Sequence, residues 1–203
     1  MRGAIVLAGG PSRRMGRPKA LVLLAGETLV ARVVGAARRV ADELVVVTKR
    51  SLVVQVREAV PDRTRVLPDS RDLQSPLVGL VTGARALGTE YVAFLACDLP
   101  LLVPAVLEAL FARAEGADAA IPRWPDGKIE PMVAVYRREP ARRAAAEALD
   151  ADRFANTDMI ERLERVRFVP TDELREGDPD LDSFVNVNAP EDLAEAERRL
   201  AGG

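Results

Sequence analysis

The sequence predicts an α/β protein of three layers, with helices covering both faces of a largely parallel mixed sheet. Three observations carry this. Short β-branched runs alternate with longer segments of helical apolar spacing from residue 3 to about residue 120. The residues with chemical character follow the runs: Gly9-Gly10, Thr48-Lys49, Asp69, Asp98 and Asn188 each stand after one. In open sheets of this class, ligands bind beyond the carboxyl ends of the strands. Finally, 203 residues suit one domain, and no internal repeat or low-complexity linker divides them. We read a single domain over 1–203, with a first half at 1–120 and a second half with a closing helix at 121–203.

Each element has its own local reason. Residues 3–8 (GAIVLA) form an apolar run that ends in glycines, and 28–41 carries Leu29, Val33, Val34 and Ala37 at helical spacing. Residues 43–48 (ELVVVT) read as strand and 51–59 as helix; 64–67 is a short strand stopped by Pro68-Asp69. Residues 76–87 read as helix, with Ser75 as cap and Pro76 in the first turn. The run 91–96 (YVAFLA) is a buried strand, 104–114 a helix, and 117–121 and 132–136 strands. Residues 138–149 and 154–163 read as helices, 166–169 and 184–187 as strands, and 191–200 as the closing helix. The PDGK turn at 125–128 and the acidic loops at 150–153 and 171–182 look like insertions at a sheet edge, the first of them mobile.

Composition narrows the chemistry. Apolar residues make up 48% and charged residues 30%, with net charge −2, so a soluble globular chain without a global basic field for nucleic acid is expected. The single Cys97 excludes a disulfide framework within one chain and a Cys-rich metal site. Histidine is absent, which removes Ser-His-Asp, Cys-His and HExxH chemistry together. Catalysis must run on carboxylates, Lys, Arg, backbone amides or a hard metal ion. No stretch approaches the ~20 apolar residues that span a bilayer, and the expected compartment is the cytoplasm. Arg outnumbers Lys by 26 to 3, and the chain has only 3 Asn and 2 Gln. A Lys or Asn is therefore more informative here than usual.

The first run continues into LAGGPSRRMGRPK, Leu7 to Lys19. It is neither the G-x-G-x-x-G fingerprint nor a P-loop. Glycines let backbone N–H groups approach phosphate oxygens, and Arg13, Arg14, Arg17 and Lys19 would neutralise a triphosphate; the bland alternative is a tight turn with solvated arginines. Lys19 is a compact ammonium where this chain habitually writes Arg, which suits a point-charge phosphate contact. Asp98, after an apolar strand, is a helix cap, a turn former or a Mg²⁺ ligand. Asn186 and Asn188 alternate with Val185 and Val187, so both would share one strand face; Asn188 could instead cap the last helix. Asp69 could accept the paired N–H donors of guanine, or simply form an Asx turn in PDS. Cys97 reads as a small buried hydrophobe. Lys128 and Glu130, in the loop WPDGKIEP, are candidate acceptor contacts; Arg153 and Arg162 read as a solvated helix face rather than an acceptor-phosphate site.

The pattern L-A-G-G-x-S-R-R-M-G-x-x-K resembles the signature of the nucleotidyltransferases that activate sugars and cofactors. Among them it is most similar to the molybdenum cofactor guanylyltransferases (MobA-like proteins). RVLPDS at 65–70, SPLVGL at 75–80, FLACDLP at 94–100, EPMVAVY at 130–136 and FVNVNAPEDL at 184–193 resemble further segments of that family, so the anchors span residues 7–193. The resemblance implies a three-layer Rossmann-like nucleotidyltransferase fold that transfers GMP from GTP to the terminal phosphate of molybdopterin, with Mg²⁺ as cofactor. It implies Arg14, Lys19 and Asp98 as catalytic residues, and Asp98 with Asn186 as metal ligands. The nucleotide would be held by Leu7, Ala8, Gly9, Gly10, Lys19, Thr48, Asp69, Pro76, Leu77, Gly79 and Asp98, with Thr48 replacing an amide of the family near the base. GTP and molybdopterin are the implied partners, with molybdoenzymes or their chaperones as candidate recipients, and neither nucleic acid nor membrane. Two departures stand out: Ser75 replaces the usual Gly, and Ala189 replaces a capping Thr. Adenosylcobinamide phosphate as acceptor, CTP as donor, and a nucleotide-binding regulator without turnover are the alternatives. A nicotinamide-dependent oxidoreductase is disfavoured by the glycine pattern.

Overall fold

In the computed structural model, residues 1–9 and 16–202 are described. Gly10, Arg13 and Arg14, three of the loop residues singled out above, lie outside them. Seven strands form one sheet: β1 (Arg2–Leu7), β4 (Glu43–Thr48), β5 (Arg65–Pro68), β6 (Tyr91–Ala96), β7 (Ala119–Arg123), β8 (Val133–Arg137) and β9 (Val166–Pro170). Their order is β5-β4-β1-β6-β8-β7-β9, and only β8 runs against its neighbours. A separate hairpin, β2 (Leu23–Leu24) with β3 (Glu27–Thr28), was not foreseen. It turns through Ala25 and Gly26, both at positive φ, the geometry that suits a two-residue hairpin loop.

Alternation along the strands builds two cores. Ala4, Val6 and Leu95 face α1 (Leu29–Arg38), α2 (Val53–Ala59) and α4 (Pro104–Ala114). Ile5, Val45 and Phe94 face α3 (Pro76–Ala86), α5 (Arg138–Asp150) and α6 (Asn156–Ile160). Period-2 side chains on a sheet buried on both faces produce this division. Helix α3 seats closely on β1 because it lacks side chains at the contact. A Cβ on Gly79 would come within 2.4 Å of Leu7 Cδ2, and one on Gly83 within 2.6 Å of Ile5 Cγ2. A third, smaller core joins the β2–β3 hairpin to α7 (Pro190–Gly202) through Val22, Leu24, Val187 and Ala196. Among the described residues, no helix is long and apolar enough to cross a membrane.

Three local expectations are corrected. Residues 184–187 are not a strand: a 3₁₀ turn at Asp182–Phe184 leads into an extended segment whose Val187 N–H donates to the Asp98 carbonyl. The helix expected over 154–163 covers only Asn156–Ile160. The turn after Trp124 is not at a sheet edge, since it joins β7 to β8 inside the sheet. Nor is it a loose loop: Trp124 N–H donates to Lys128 O, Gly127 N–H to Trp124 O, and Lys128 N–H to Asp126 Oδ1.

Candidate active site

Beyond the carboxyl ends of β4, β1 and β6 lies a cavity of about 540 Å³. The chain proceeds from β1 leftward to β4 and β5, then crosses to β6 on the other side of β1. This is the switch point at which such sheets open a crevice. Register sets its floor: Leu7 pairs with Ala96, and Cys97 N–H donates to Leu7 O at 3.0 Å. Gly9 and Asp98 therefore emerge side by side.

At the centre, Lys19 Nζ donates to Asp98 Oδ2 at 2.9 Å and to Asn188 Oδ1 at 2.5 Å. An ammonium has three donors, so among the described residues one remains for a ligand. The second oxygen of Asp98, Oδ1, is buried without a hydrogen-bond partner among the described residues. Asn186 lines the cavity and donates Nδ2 to Phe184 O at 3.2 Å, which leaves its Oδ1 as the acceptor. The two asparagines flank the buried Val187 as expected, without the strand that was to hold them. An orphaned carboxylate oxygen and a neutral amide oxygen are hard donors of the kind Mg²⁺ takes. Among the described residues, no group of three or more His, Cys, Asp or Glu could hold a metal. Phosphate and water oxygens would have to complete the shell, as is usual for Mg²⁺.

On the β5 side, Asp69 and Lys49 flank Gly9. A Cβ on Gly9 would lie 3.7 Å from Asp69 Oδ2 and 3.5 Å from the Lys49 backbone N. Burial pushes the Asp69 carboxyl up to about 6, against the opposing pull of the Lys49 charge. Lys49 lines the cavity in place of Thr48. Thr48 is buried and its hydroxyl donates to Ala8 O at 3.0 Å, so it is not available as a stand-in for a base-contacting amide. The Ala8 N–H donates to Val47 O at 2.8 Å and is likewise not free for phosphate. Leu77 is fully buried beneath the site; Pro76, Gly79 and Leu7 line the cavity.

On the β8 side, Glu130, Pro131 and Met132 form a wall. Trp124 Nε1 donates to Glu130 Oε1 at 2.8 Å, Lys128 Nζ lies 3.0 Å from the same oxygen, and Tyr136 Oη donates to Pro131 O at 2.9 Å. Gln74 and Asn156, which sequence reasoning did not select, also line the cavity. Their signal was rarity: three of the five amide side chains of the chain line this one cavity. Arg153 and Arg162 do not reach it as phosphate ligands; Arg153 donates to Asp158 Oδ1 at 2.7 Å, and Arg162 to the Asp158 carbonyl. Cys97 borders the cavity, but burial first and the Asp98 charge second push its thiol up to about 12, so it remains protonated and inert at neutral pH.

The chain is similar to known proteins over most of its length. Residues 4–166 match the family model of the MobA-like NTP transferase domain. A curated protein of Natronomonas pharaonis named "Probable molybdenum cofactor guanylyltransferase" is 38% identical, covering 98% of both chains. The molybdenum cofactor guanylyltransferase of Desulfosudis oleivorans is 35% identical, covering 98% of this chain and 96% of its own. The crystal structure of molybdopterin-guanine dinucleotide biosynthesis protein A from Archaeoglobus fulgidus superposes with a TM-score of 0.84 at 28% identity over the whole of both chains. A cytidylyltransferase from Thermus thermophilus shares the fold, with a TM-score of 0.73 at 19% identity over 99% of this chain and 100% of its own. On its fold, its matched span and its relatives, the chain belongs to the MobA-like NTP transferase family.

Proposed function

We propose that the chain transfers GMP from GTP to the terminal phosphate of molybdopterin, releasing pyrophosphate. The observation that carries the reading is the cavity itself, which Asp69, Gly9, Lys19, Asp98 and Asn186 line together. In this reading an oxygen of the acceptor phosphate forms a bond to the α-phosphorus while the bond to the β-bridging oxygen breaks. The acceptor phosphate is already ionised at neutral pH and needs no general base, so a chain without histidine suffices. The work is positioning and charge neutralisation.

The geometry supports individual roles for most of these residues. Asp69 accepts the N1–H and N2–H of guanine, a donor pair that adenine and cytosine do not present. Gly9 leaves room for the nucleotide beside Lys49 and Asp69. Lys19 brings its remaining N–H and its charge to the triphosphate and is oriented by Asp98 and Asn188. Asp98 and Asn186 would hold Mg²⁺, which when bound supplies positive charge against the phosphates. Arg14 is assigned to the triphosphate from the sequence pattern. The product would pass in the cytoplasm to molybdoenzymes or their chaperones. The test is anaerobic pyrophosphate release with Mg²⁺ and molybdopterin, comparing GTP, CTP and ATP. Release with GTP alone is expected. Release with CTP alone would reassign the base, and silence with bound GTP would reassign the acceptor.

A further inference from the structure

The two ends of the cavity carry similar chemistry. Asp69 follows β5, and Glu130 precedes β8; four strand spacings of about 4.8 Å separate these strands, about 19 Å in all. Asp98, which follows β6, lies between them with Lys19 hydrogen-bonded to it, and Asn186 lines the same cavity. Glu130 is a built carboxylate: its side chain is 13% exposed, and Trp124 and Lys128 both hold it through Oε1. Among the described residues its Oε2 takes no hydrogen bond or ion pair. Trp124 is itself fixed edge-on against Phe184, with ring centroids 5.6 Å apart.

Asn156 borders the same cavity, and its Oδ1 is buried without a partner among the described residues. Such an acceptor is costly unless a donor arrives. The segment that carries it is pinned from both sides. Asp158 Oδ2 accepts the Ala155 N–H at 2.8 Å, and Ser75 Oγ donates to Phe154 O at 2.8 Å. Ser75, the residue that departs from the family pattern, thus ties the start of α3 to the segment bearing Asn156.

A carboxylate oxygen with open lone pairs and an orphaned amide oxygen together want a flat ligand rich in N–H donors. The pterin of molybdopterin is such a ligand. Its 2-amino-4-oxo pyrimidine edge carries the same adjacent N–H and NH₂ donors as guanine. We infer that Glu130 and Asn156 read the pterin ring of the acceptor, so that a carboxylate at each end of the cavity recognises the same donor edge at each end of the dinucleotide. This deepens the proposed function and rests on it. The open Oε2 of Glu130 accepts from the ring N–H and the 2-amino group of the pterin. Asn156 Oδ1 accepts from a further ring N–H.

The test titrates free pterin, followed by its own fluorescence, into protein already saturated with GTP and Mg²⁺. The base end is then filled and cannot take the pterin. One pterin per chain is expected. Glu130→Gln keeps an oxygen for Trp124 but loses the anionic acceptor, and should weaken pterin at least tenfold with GTP affinity unchanged. Asn156→Ala, which leaves the Glu130 contacts intact, should change this binding little, because the fluorescent, oxidised ring lacks the further N–H groups that the reduced pterin of molybdopterin offers to Asn156. In turnover, both should raise KM for molybdopterin more than they lower kcat. Failure of pterin to bind the GTP-loaded protein would overturn the inference, as would binding that survives Glu130→Gln. Neither result would touch the guanylyl transfer, which is read separately as pyrophosphate release by the unaltered protein.

Discussion

Asp69 is a carboxylate that the fold makes reluctant to ionise, and the guanine contact proposed for it requires it ionised. Its value of about 6, raised by burial, gives a pH prediction with a definite sign. GTP affinity should fall as pH is lowered through about 6, because the protonated acid can no longer accept both guanine donors. Stability without nucleotide should run the other way. Between the unfolded value near 3.8 and about 6, the native chain keeps a proton that the unfolded chain releases, so this residue's contribution is lost as pH rises through that window. Asp69→Asn should lower GTP affinity by roughly tenfold or more at neutral pH and abolish that pH dependence, without lowering the unfolding temperature. Titration of GTP by calorimetry at several pH values checks both. Asp98→Asn is the companion test. It removes the charge opposite Lys19 and the expected metal ligand, so turnover should fall by about a hundredfold or more with little change in the unfolding midpoint. Unchanged turnover would take Asp98 out of the mechanism.

The elements place these residues through contacts that can be broken one at a time. At Gly83 an added methyl meets Ile5 Cγ2 at 2.6 Å within a fully buried layer, so Gly83→Ala should cost about 1–3 kcal/mol in urea unfolding by overpacking. At the last helix the missing Thr at Ala189 is offset by Asp192, whose Oδ2 accepts the Asn188 N–H at 2.7 Å and the Ala189 N–H at 2.9 Å. Asp192→Ala should cost about 1 kcal/mol of stability, and it should raise the KM for GTP, since Asn188 orients Lys19. Cap residues were legible at Ser75, whose Oγ accepts the Leu77 N–H, but not at Asp192, because a carboxylate three residues into a helix also reads as ordinary helix surface. The alternation in Val185–Asn188 was read as a strand. It records which side chains are buried; in place of a partner strand, the backbone finds the Asp182 carbonyl at Val185, the Asp98 carbonyl at Val187 and the Asp192 carboxylate at Asn188. The β2–β3 hairpin left no period to detect, since each strand is two residues long.

Across the whole molecule, the fold was written in the alternation of short apolar runs with helical ones, because a sheet covered on both sides needs each strand buried on both faces. The centre of the site was legible too, since Gly9, Asp69 and Asp98 sit at strand ends where the topology opens a crevice. The acceptor wall was harder to see. Glu130 was noticed only as a candidate, and its clamping by Trp124 and Lys128 depends on a turn whose closure no periodicity announces. Asn156 and Gln74 could have been found from scarcity alone, in a chain with five amide side chains. Thr48 and Ala8 were assigned by resemblance to the nucleotide, whereas their polar groups bind each other and Val47 across β1 and β4. The most direct test of the whole account follows the phosphorus. GTP labelled at its α-phosphorus is incubated anaerobically with the protein, Mg²⁺ and molybdopterin, and the products are separated. The label should appear in a guanine–pterin dinucleotide, while label at the γ-phosphorus leaves as pyrophosphate. Label that stays in free GMP or in unchanged GTP, with molybdopterin intact, would contradict guanylyl transfer.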